Sequence, residues 1–330
     1  MTAAQIQLRA DVMVVRREHG VMLLHVPATQ RTLRVGRATE TLLPALVEGT
    51  TFDALVALVP GPEVTPALTA FVDKLRGAGM LEGEGDAQAA PAMRVRLRPL
   101  LDINPLAGAL AAPLRALPTF VRRAFVWLVI GAAIAGIATL AWLHGRPRLT
   151  NVIYGFDVLA LAWLLIVHMP LHELGHAVAA RLAGIRVTSA GIMFRRLGLP
   201  VPYVLTSEAF RLRERRPRIW ISAGGPLVDL VAVGIAAWLA VAVPGAIGHA
   251  AAYFVFLGLV TLLLNLNPLV GSDGSHILQA ALDDDSVRVA VRGRQRPVLT
   301  TPRAIRIYRY ACLAYALVML VAVFGIWRWS

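Results

Sequence analysis

The chain has 330 residues, of which 57% are hydrophobic and only 16% are charged, whereas an ordinary soluble domain carries about 25% charged residues. Its formal net charge of +13 comes almost wholly from arginine, since Lys74 is the only lysine, and its single cysteine excludes a disulfide framework within the chain. The apolar residues form long blocks with arginines in the loops beside them, so the composition indicates a polytopic protein of a lipid bilayer and speaks against nucleic-acid binding.

The N-terminal region has the pattern of a small soluble α+β domain. Short runs of β-forming residues around a turn at His19-Gly20 predict three strands, at Val12–Arg16, Val21–Val26 and Thr32–Val35. A helical apolar period then covers Ala38–Glu48 and ends before Gly49, and two further helices follow. The first twenty residues lack the apolar core of a signal peptide, so we expect this domain to stay in the cytoplasm.

Three segments of this region resemble the PqqD-like winged-helix domain. They are EGT after the first helix, the second helix that begins at TTFDAL, and LRGAGMLE at the end of the third. In ribosomal peptide maturation, that fold recognises the leader of a precursor peptide. The resemblance therefore implies that residues 1–83 bind a precursor peptide as an added strand beside Thr32–Val35 and the third helix. The alternative is a generic small α+β regulatory domain.

Residues 84–118 are rich in Ala, Pro and Gly and predict a linker that becomes amphipathic toward the membrane. The predicted membrane domain, residues 119–330, contains apolar blocks of about 20 residues, enough to cross about 30 Å of hydrocarbon. There are five such blocks, at approximately Ala124–His144, Phe156–Val178, Ile219–Val243, Ala250–Leu269 and Tyr310–Trp327. Only PGAIG separates the third block from the fourth, which predicts a helical hairpin.

The arginines predict the orientation of these spans. Segments 179–218 and 271–308 are rich in arginine, whereas the opposite side holds only Arg146, Arg148 and Arg328. Positively charged loops favour the cytoplasmic side. We therefore expect a multi-pass protein of a bacterial-type cytoplasmic membrane, with its N-terminus inside and its C-terminus outside.

The second apolar block contains the sequence HELGH. On a helix, His172 and His176 stand one turn apart on the same face and can offer two imidazole nitrogens to one Zn²⁺. Glu173 then lies where its carboxylate can act as a general base. Ionisable groups within a span are costly and indicate function. The alternative is a polar cluster that only forms hydrogen bonds across the bundle.

The third metal ligand is predicted near the end of the fourth span, at the same cytoplasmic depth as HELGH. Asn267-Pro268 should end that helix, so that Asp273, in a turn with Gly274, can point its carboxylate inward. His276 is the rival third ligand. His168 precedes His172 by four residues, but Pro170 disturbs the helix between them, which favours a packed or supporting role for His168.

HELGH together with NPLVGSDG resembles the site-2 protease family of intramembrane zinc metallopeptidases, over about residues 120–330. The resemblance implies that His172, His176 and Asp273 bind zinc and that Glu173 is catalytic. It also implies short strands beside the active site within Arg186–Ala209. The family often has asparagine where this chain has Asp229.

Two further residues are assigned to the site on this basis. Asn267 and Asp229 are predicted to bind substrate. For Asp229, a supporting role behind the metal ligands and neutralisation by a neighbouring arginine stay open.

The expected protein is mainly α-helical and polytopic, with a short β segment near the active site and a small N-terminal α+β domain. Its expected activity is that of a zinc endopeptidase that removes the leader of a ribosomally made precursor peptide. One alternative is cleavage of a membrane-bound regulator such as an anti-sigma factor. The other is a non-catalytic membrane scaffold.

Overall fold

The computed structural model divides the chain into two compact units. One comprises Met1–Val95 with Phe210–Glu214, and the other comprises Arg96–Ala209 with Arg215–Ser330. The residues that the structure describes are 5–16, 22–26, 31–36, 39–59, 61, 64–83, 96–144, 157–187, 189–194, 200–206, 209, 212–285, 287–292 and 301–327. The predicted turn at His19-Gly20, residues 84–95 of the predicted linker, and Arg146, Arg148 and Arg328 lie outside them.

The first unit contains the three strands and three helices that its sequence predicts. An antiparallel sheet of order β1-β2-β3 is formed by β1 (Met13–Arg16), β2 (Met22–Val26) and β3 (Arg31–Val35). The helices are α1 (Thr39–Glu48), α2 (Phe52–Ala57) and α3 (Val64–Gly77). Thr51 caps α2, because its hydroxyl accepts the Ala54 N–H at 3.4 Å.

An apolar core holds this unit together. β2 is the central strand, and all five of its residues are buried. Leu24 packs in one cluster with Leu46 of α1, Leu55 of α2 and Leu75 of α3. Burying each of these side chains contributes about 1.5–3 kcal/mol, so the core ties each helix to the sheet.

The second unit confirms the prediction of five membrane-spanning helices. They are α5 (Thr119–His144), α6 (Val158–Leu182), α7 (Arg215–Ala242), α8 (Ala246–Asn265) and α11 (Pro302–Trp327). Large apolar side chains such as Trp142 and Leu159 point outward and are exposed, as lipid-facing residues are. The predicted hairpin is present, because α7 ends at Ala242 and α8 begins at Ala246.

The second half of the predicted linker is structured, which corrects that prediction. Residues 96–116 form β4 (Arg96–Leu101) and α4 (Asn104–Ala116). β4 pairs with β5 (Ala190–Phe194), which pairs with β6 (Pro200–Val204), in an antiparallel sheet of order β4-β5-β6. A hydrogen bond also connects the start of α4 to the segment before β5, since Asn104 Oδ1 accepts the Val187 N–H at 3.2 Å. Composition alone indicated a linker because strand pairing with residues nearly 100 positions away leaves no local signal.

Helix α6 changes its winding before the HELGH sequence. Val158–Ala162 is α-helical, Trp163–His168 is a π-helical segment, and Met169–Leu182 is α-helical again. Pro170 stands in the first turn of the last segment, where its missing N–H is best tolerated once the preceding turn is widened. The helix therefore continues through Pro170 and does not break.

The chain between α8 and the next helix turns back sharply. α8 ends at Asn265, close to the break predicted at Asn267-Pro268. α9 (Asp273–Leu282) starts after Ser272, whose side chain accepts the Ser275 N–H in a capping box. Asp273 and Gly274 thus form the first turn of a helix, which corrects the prediction of a loop turn there. α10 (Val287–Val291) follows α9.

Candidate metal centre

Three side chains from two helices bring their donor atoms together. His172 Nε2 lies 3.2 Å from His176 Nε2. Asp273 Oδ2 lies 3.2 Å from His172 Nε2, and Asp273 Oδ1 lies 3.4 Å from His176 Nε2. Among the described residues, these three form a group of His and Asp side chains that could hold a metal ion. The two histidines come from one turn of α6, and the aspartate comes from the first turn of α9.

The other nitrogen of each ring fixes which nitrogen faces the centre. His172 Nδ1 donates to Asp229 Oδ1 at 2.8 Å, and His176 Nδ1 donates to the Ile221 carbonyl at 2.7 Å. Neither acceptor carries a hydrogen, so each Nδ1 must be protonated. In the neutral rings, both Nε2 lone pairs then point at each other and at the Asp273 carboxylate. These nitrogen and oxygen lone pairs, 3.2–3.4 Å apart, repel one another unless a cation lies between them. Two imidazoles and one carboxylate are ligands that Zn²⁺ favours.

Asp273 is held as a carboxylate. A cation held between its oxygens and the two histidine nitrogens would favour the charged form of the Asp273 side chain. The helix dipole at the N-terminus of α9 also favours a negative charge. The predicted rival, His276, is exposed and lies outside the group of three.

Glu173 faces the sheet beside the centre. Its Oε2 accepts the Val204 N–H of β6 at 2.9 Å. The strands predicted beside the active site are therefore present, and β6 is the one that contacts Glu173. The carboxylate lies between the metal-binding group, one residue away on α6, and the last strand of the sheet.

Asp229 lies behind His172. Its side chain is 0% exposed, and it accepts hydrogen bonds from His168 Nε2 at 2.9 Å, His172 Nδ1 at 2.8 Å and Asn265 Nδ2 at 3.0 Å. These contacts fit the predicted alternative of a supporting role, and substrate binding by Asp229 stays a prediction. These partners are imidazoles and an amide, so the arginine alternative does not describe them. His168, predicted to be a packed or supporting residue, is also fully buried.

Asn267 lies in the turn between α8 and α9. Its side-chain Oδ1 accepts the Leu269 N–H at 2.8 Å, and its carbonyl accepts a hydrogen bond from the Ser272 hydroxyl. These contacts shape the turn that leads to Asp273. Substrate binding by Asn267 stays a prediction.

Glycines let the helices of the centre approach closely, and the sequence analysis missed them. A Cβ added at Gly225 of α7 would lie 2.5 Å from His172 Nε2 and would also collide with His176 Nε2. A Cβ added at Gly175 would lie 2.5 Å from the Gly224 carbonyl oxygen. Glycine inside a helix costs about 1 kcal/mol relative to alanine, so the pair Gly224-Gly225 in an apolar helix was a usable signal of close packing. Asn265 was missed as well, and no local pattern marks it as a partner of Asp229.

Comparison with known proteins supports part of this description. Residues 160–252 match Peptidase family M50, a range that includes the HELGH sequence and Asp229 but ends before Asp273. Over 68 residues, the chain is 35% identical to the uncharacterized protein MJ0971 of Methanocaldococcus jannaschii, in a match that covers 20% of this chain and 18% of that protein. No solved structure matches the chain.

Proposed function

We propose that this chain is an intramembrane zinc endopeptidase. The observation that carries the proposal is the convergence of His172 Nε2, His176 Nε2 and an Asp273 carboxylate within 3.2–3.4 Å, next to Glu173 and inside a bundle of apolar helices. The match of residues 160–252 to Peptidase family M50 supports the same activity.

Each residue of the centre has its own role in peptide hydrolysis. His172, His176 and Asp273 would hold Zn²⁺, which supplies a Lewis acid that polarises the scissile carbonyl and makes water nucleophilic at neutral pH. The Glu173 carboxylate takes a proton from the attacking water and returns it to the nitrogen of the leaving amine as the C–N bond breaks. The hydrogen bond from the Val204 N–H holds that carboxylate in place.

The outer edge of β6, on the side where Val204 contacts Glu173, would present the substrate. Leu205 N–H donates to the Ser189 carbonyl at 2.8 Å, so Val201, Tyr203 and Leu205 pair with β5 and the residues between them face away from it. Pro200 and Pro202 lie on this outward side and have no N–H, which protects the edge from non-specific pairing while leaving carbonyl acceptors. An extended substrate would donate its own N–H groups to these carbonyls.

The N-terminal unit would capture the precursor peptide. A cleft of about 320 Å³ runs beside the outer strand β1 and is lined by Val14, Arg16, Leu43, Pro44, Val47 and Glu48. Its apolar floor and charged rim suit an extended peptide better than a small charged ligand. Binding a leader there, or at the other outer strand β3, would raise the effective concentration of the peptide at the zinc centre.

The arginine-rich loops support a location in the cytoplasmic membrane. With the N-terminal unit in the cytoplasm, the positive-inside rule places the loops that follow α6 and α8 on the same side. Since HELGH and Asp273 lie at those ends of the helices, the active site would open to cytoplasmic water and to a cytoplasmic precursor.

Co-expression with candidate substrates tests the function. Short peptides encoded beside this gene would be expressed with the wild-type chain, with Glu173→Gln, or with the control Glu82→Gln, which alters an exposed carboxylate of the N-terminal unit. We expect mass spectrometry to find a truncated peptide with the wild type and the control. General-base catalysis contributes about 10²–10⁴-fold, so Glu173→Gln should give full-length peptide while its zinc content is unchanged.

Two results would contradict the proposal in different ways. Cleavage that persists in Glu173→Gln would remove the general-base assignment. Full-length peptide with all three chains, still bound to the purified protein, would favour a membrane scaffold.

A further inference from the structure

The polar cluster behind His172 consists of Asp229, His168 and Asn265. A hydrogen-bond acceptor for the His172 ring would need only the first of these residues. We propose that Asp229 is a positioning residue that acts through His172 and adds a buried negative charge one ring away from the divalent ion, and that His168 and Asn265 hold this carboxylate in place inside the bundle. The inference rests on the proposed zinc centre and deepens it.

The directions of the hydrogen bonds give the first step. A carboxylate can only accept, so His168 Nε2, His172 Nδ1 and Asn265 Nδ2 must each donate to Asp229, at 2.9, 2.8 and 3.0 Å. Oδ1 receives two donors and Oδ2 receives one. The three donors approach from two helices besides α7, so they fix the orientation of the carboxylate behind His172.

Charge gives the second step. An isolated ion is very costly to bury, and it is retained only when charges balance and hydrogen bonds are satisfied. Among the metal-binding residues, Asp273 supplies one negative charge, and the neutral rings of His172 and His176 supply none. One carboxylate leaves a divalent ion with an excess positive charge, and both Glu173 and Asp229 can offset it. Asp229 lies one imidazole away from the ion and, through His172, contacts a metal ligand directly.

The surroundings of Asp229 give the third step. Val233, one helical turn along α7, is fully buried and packs with Leu164 and Phe254 in an apolar cluster. Water is therefore a poor substitute for the three donors, and each donor has a large effect on how firmly the carboxylate is held against His172.

His168 fits the role of a dedicated donor. It is 0% exposed, and its ring meets the Phe254 ring edge to face at 5.3 Å between centroids. Within the described part of the chain, its Nδ1 has no hydrogen-bond partner. A proton on Nδ1 would be a buried donor without an acceptor, whereas a proton on Nε2 faces Asp229, so the contacts favour Nε2 as the donor. The continuous helix through Pro170 puts His168 on the same face as His172, which makes this shared acceptor accessible to both.

The test separates charge from shape. Asp229→Asn keeps the size of the side chain and an oxygen that can accept the His172 N–H, and it replaces the charged oxygen that faces Asn265 with an amide NH2. The full-length chain in lipid nanodiscs would be titrated with Zn²⁺ against a chelator and, separately, with Co²⁺, whose visible absorption reports the ligand set. The control is Asp157→Asn, which changes the N-cap of α6 to another good N-cap.

We expect Asp229→Asn to raise the Kd for Zn²⁺ by about 10–100-fold, as loss of such a supporting partner typically does. The positions of the Co²⁺ absorption bands should match the wild type, because the three ligands are intact. His168→Phe, which removes the donor but keeps a ring, should raise the Kd by a smaller factor. Asp157→Asn should leave the Kd unchanged.

An unchanged Kd in Asp229→Asn would overturn the inference. A changed Co²⁺ spectrum would also overturn it, because Asp229 would then only hold the shape of the ligand set. If Asp229→Asn does not fold, His168→Phe and Asn265→Ala decide, and an unchanged Kd in both would count against the proposal. A wild-type chain that binds no stoichiometric Zn²⁺ would instead contradict the proposed metal centre itself.

Discussion

The two units of the chain differ in how many polar residues they bury. In the N-terminal unit, the core is an apolar cluster that includes Leu24, Leu46 and Leu55, and His25 and Thr39 are the buried polar residues among those described. The membrane unit also buries apolar residues, but its buried residues include many polar ones, namely His168, His172, Asp229, Arg218, Ser275, Gln279, Asp283 and Asp284, whereas many large apolar side chains point outward. The core of the first unit is therefore mainly apolar, and the interior of the second combines apolar packing with polar contacts.

This contrast follows from the solvent that each unit meets. Water drives apolar groups into the core of a soluble domain. Lipid provides no such force between helices, so close packing at small residues and interhelical hydrogen bonds carry more of the specificity. This difference predicts that the stability of the membrane unit depends strongly on pairs of buried polar side chains. The stability of the N-terminal unit should depend on how well apolar side chains fill its core.

The largest expected effect is on a buried ion pair of the membrane unit. Arg218 of α7 donates to Asp283, which directly follows α9, and both side chains are buried. Asp283→Asn removes the buried carboxylate that this guanidinium contacts, and we expect the free energy of unfolding to fall by about 3–5 kcal/mol. Denaturant titration in detergent micelles measures this change. Asp157→Asn, which keeps a good N-cap on α6, should change it by less than about 0.5 kcal/mol, and equal effects of the two would contradict the comparison.

In the N-terminal unit, the corresponding loss of stability should come from removing the volume of a buried apolar side chain. Leu46 is 0% exposed and its neighbour Val47 is 55% exposed. Leu46→Ala should lower the free energy of unfolding of this unit by about 2–5 kcal/mol because it leaves a cavity in the core. Val47→Ala should have little effect. Hydrogen exchange by mass spectrometry can report the two units separately, and loss of zinc binding in Leu46→Ala would contradict their independence.

A third substitution tests whether a residue without a side chain is needed beside the zinc centre. Gly225→Ala places a methyl group against both histidine rings, so the rings must shift. A displacement of about 1 Å at a catalytic centre costs about 100-fold in rate, which corresponds to about 2.7 kcal/mol. The cleavage rate and the Zn²⁺ affinity should fall together.

Gly131→Ala is the matched control for Gly225→Ala. Gly131 also lies in a membrane helix, and an added Cβ there meets nothing within 4 Å. We expect wild-type activity from this variant. If both variants were equally impaired, loss of helix flexibility would explain Gly225 better than the contact with the rings.

The sequence predicted what depends on local patterns. Five apolar blocks gave the five spans, and the four-residue spacing of His172 and His176 put both rings on one helical face. The helix ends and the loop charges predicted that Asp273 lies at the same depth in the bilayer as HELGH, which is why it was predicted as the third ligand. The sequence missed what depends on contacts across the bundle, namely the acceptor Ile221 behind His176, the donor Asn265, and the pairing of β4 with β5. These partners are 36 to 98 residues apart and have no shared period.

The smallest expected effect tests whether the N-terminal unit serves the zinc centre. Val47→Glu puts a charge on the apolar floor of the cleft beside β1, at a side chain that the core does not need. If the cleft holds the precursor, KM for a full-length precursor should rise about tenfold, the effect of losing about 1.4 kcal/mol of binding, while kcat stays the same. A short peptide that spans only the cut site should be cleaved equally by both chains, because it never uses the tether. Deletion of residues 1–83 sets the upper limit for this loss. Equal KM values for the precursor in all three proteins would mean that the N-terminal unit recognises something other than the substrate.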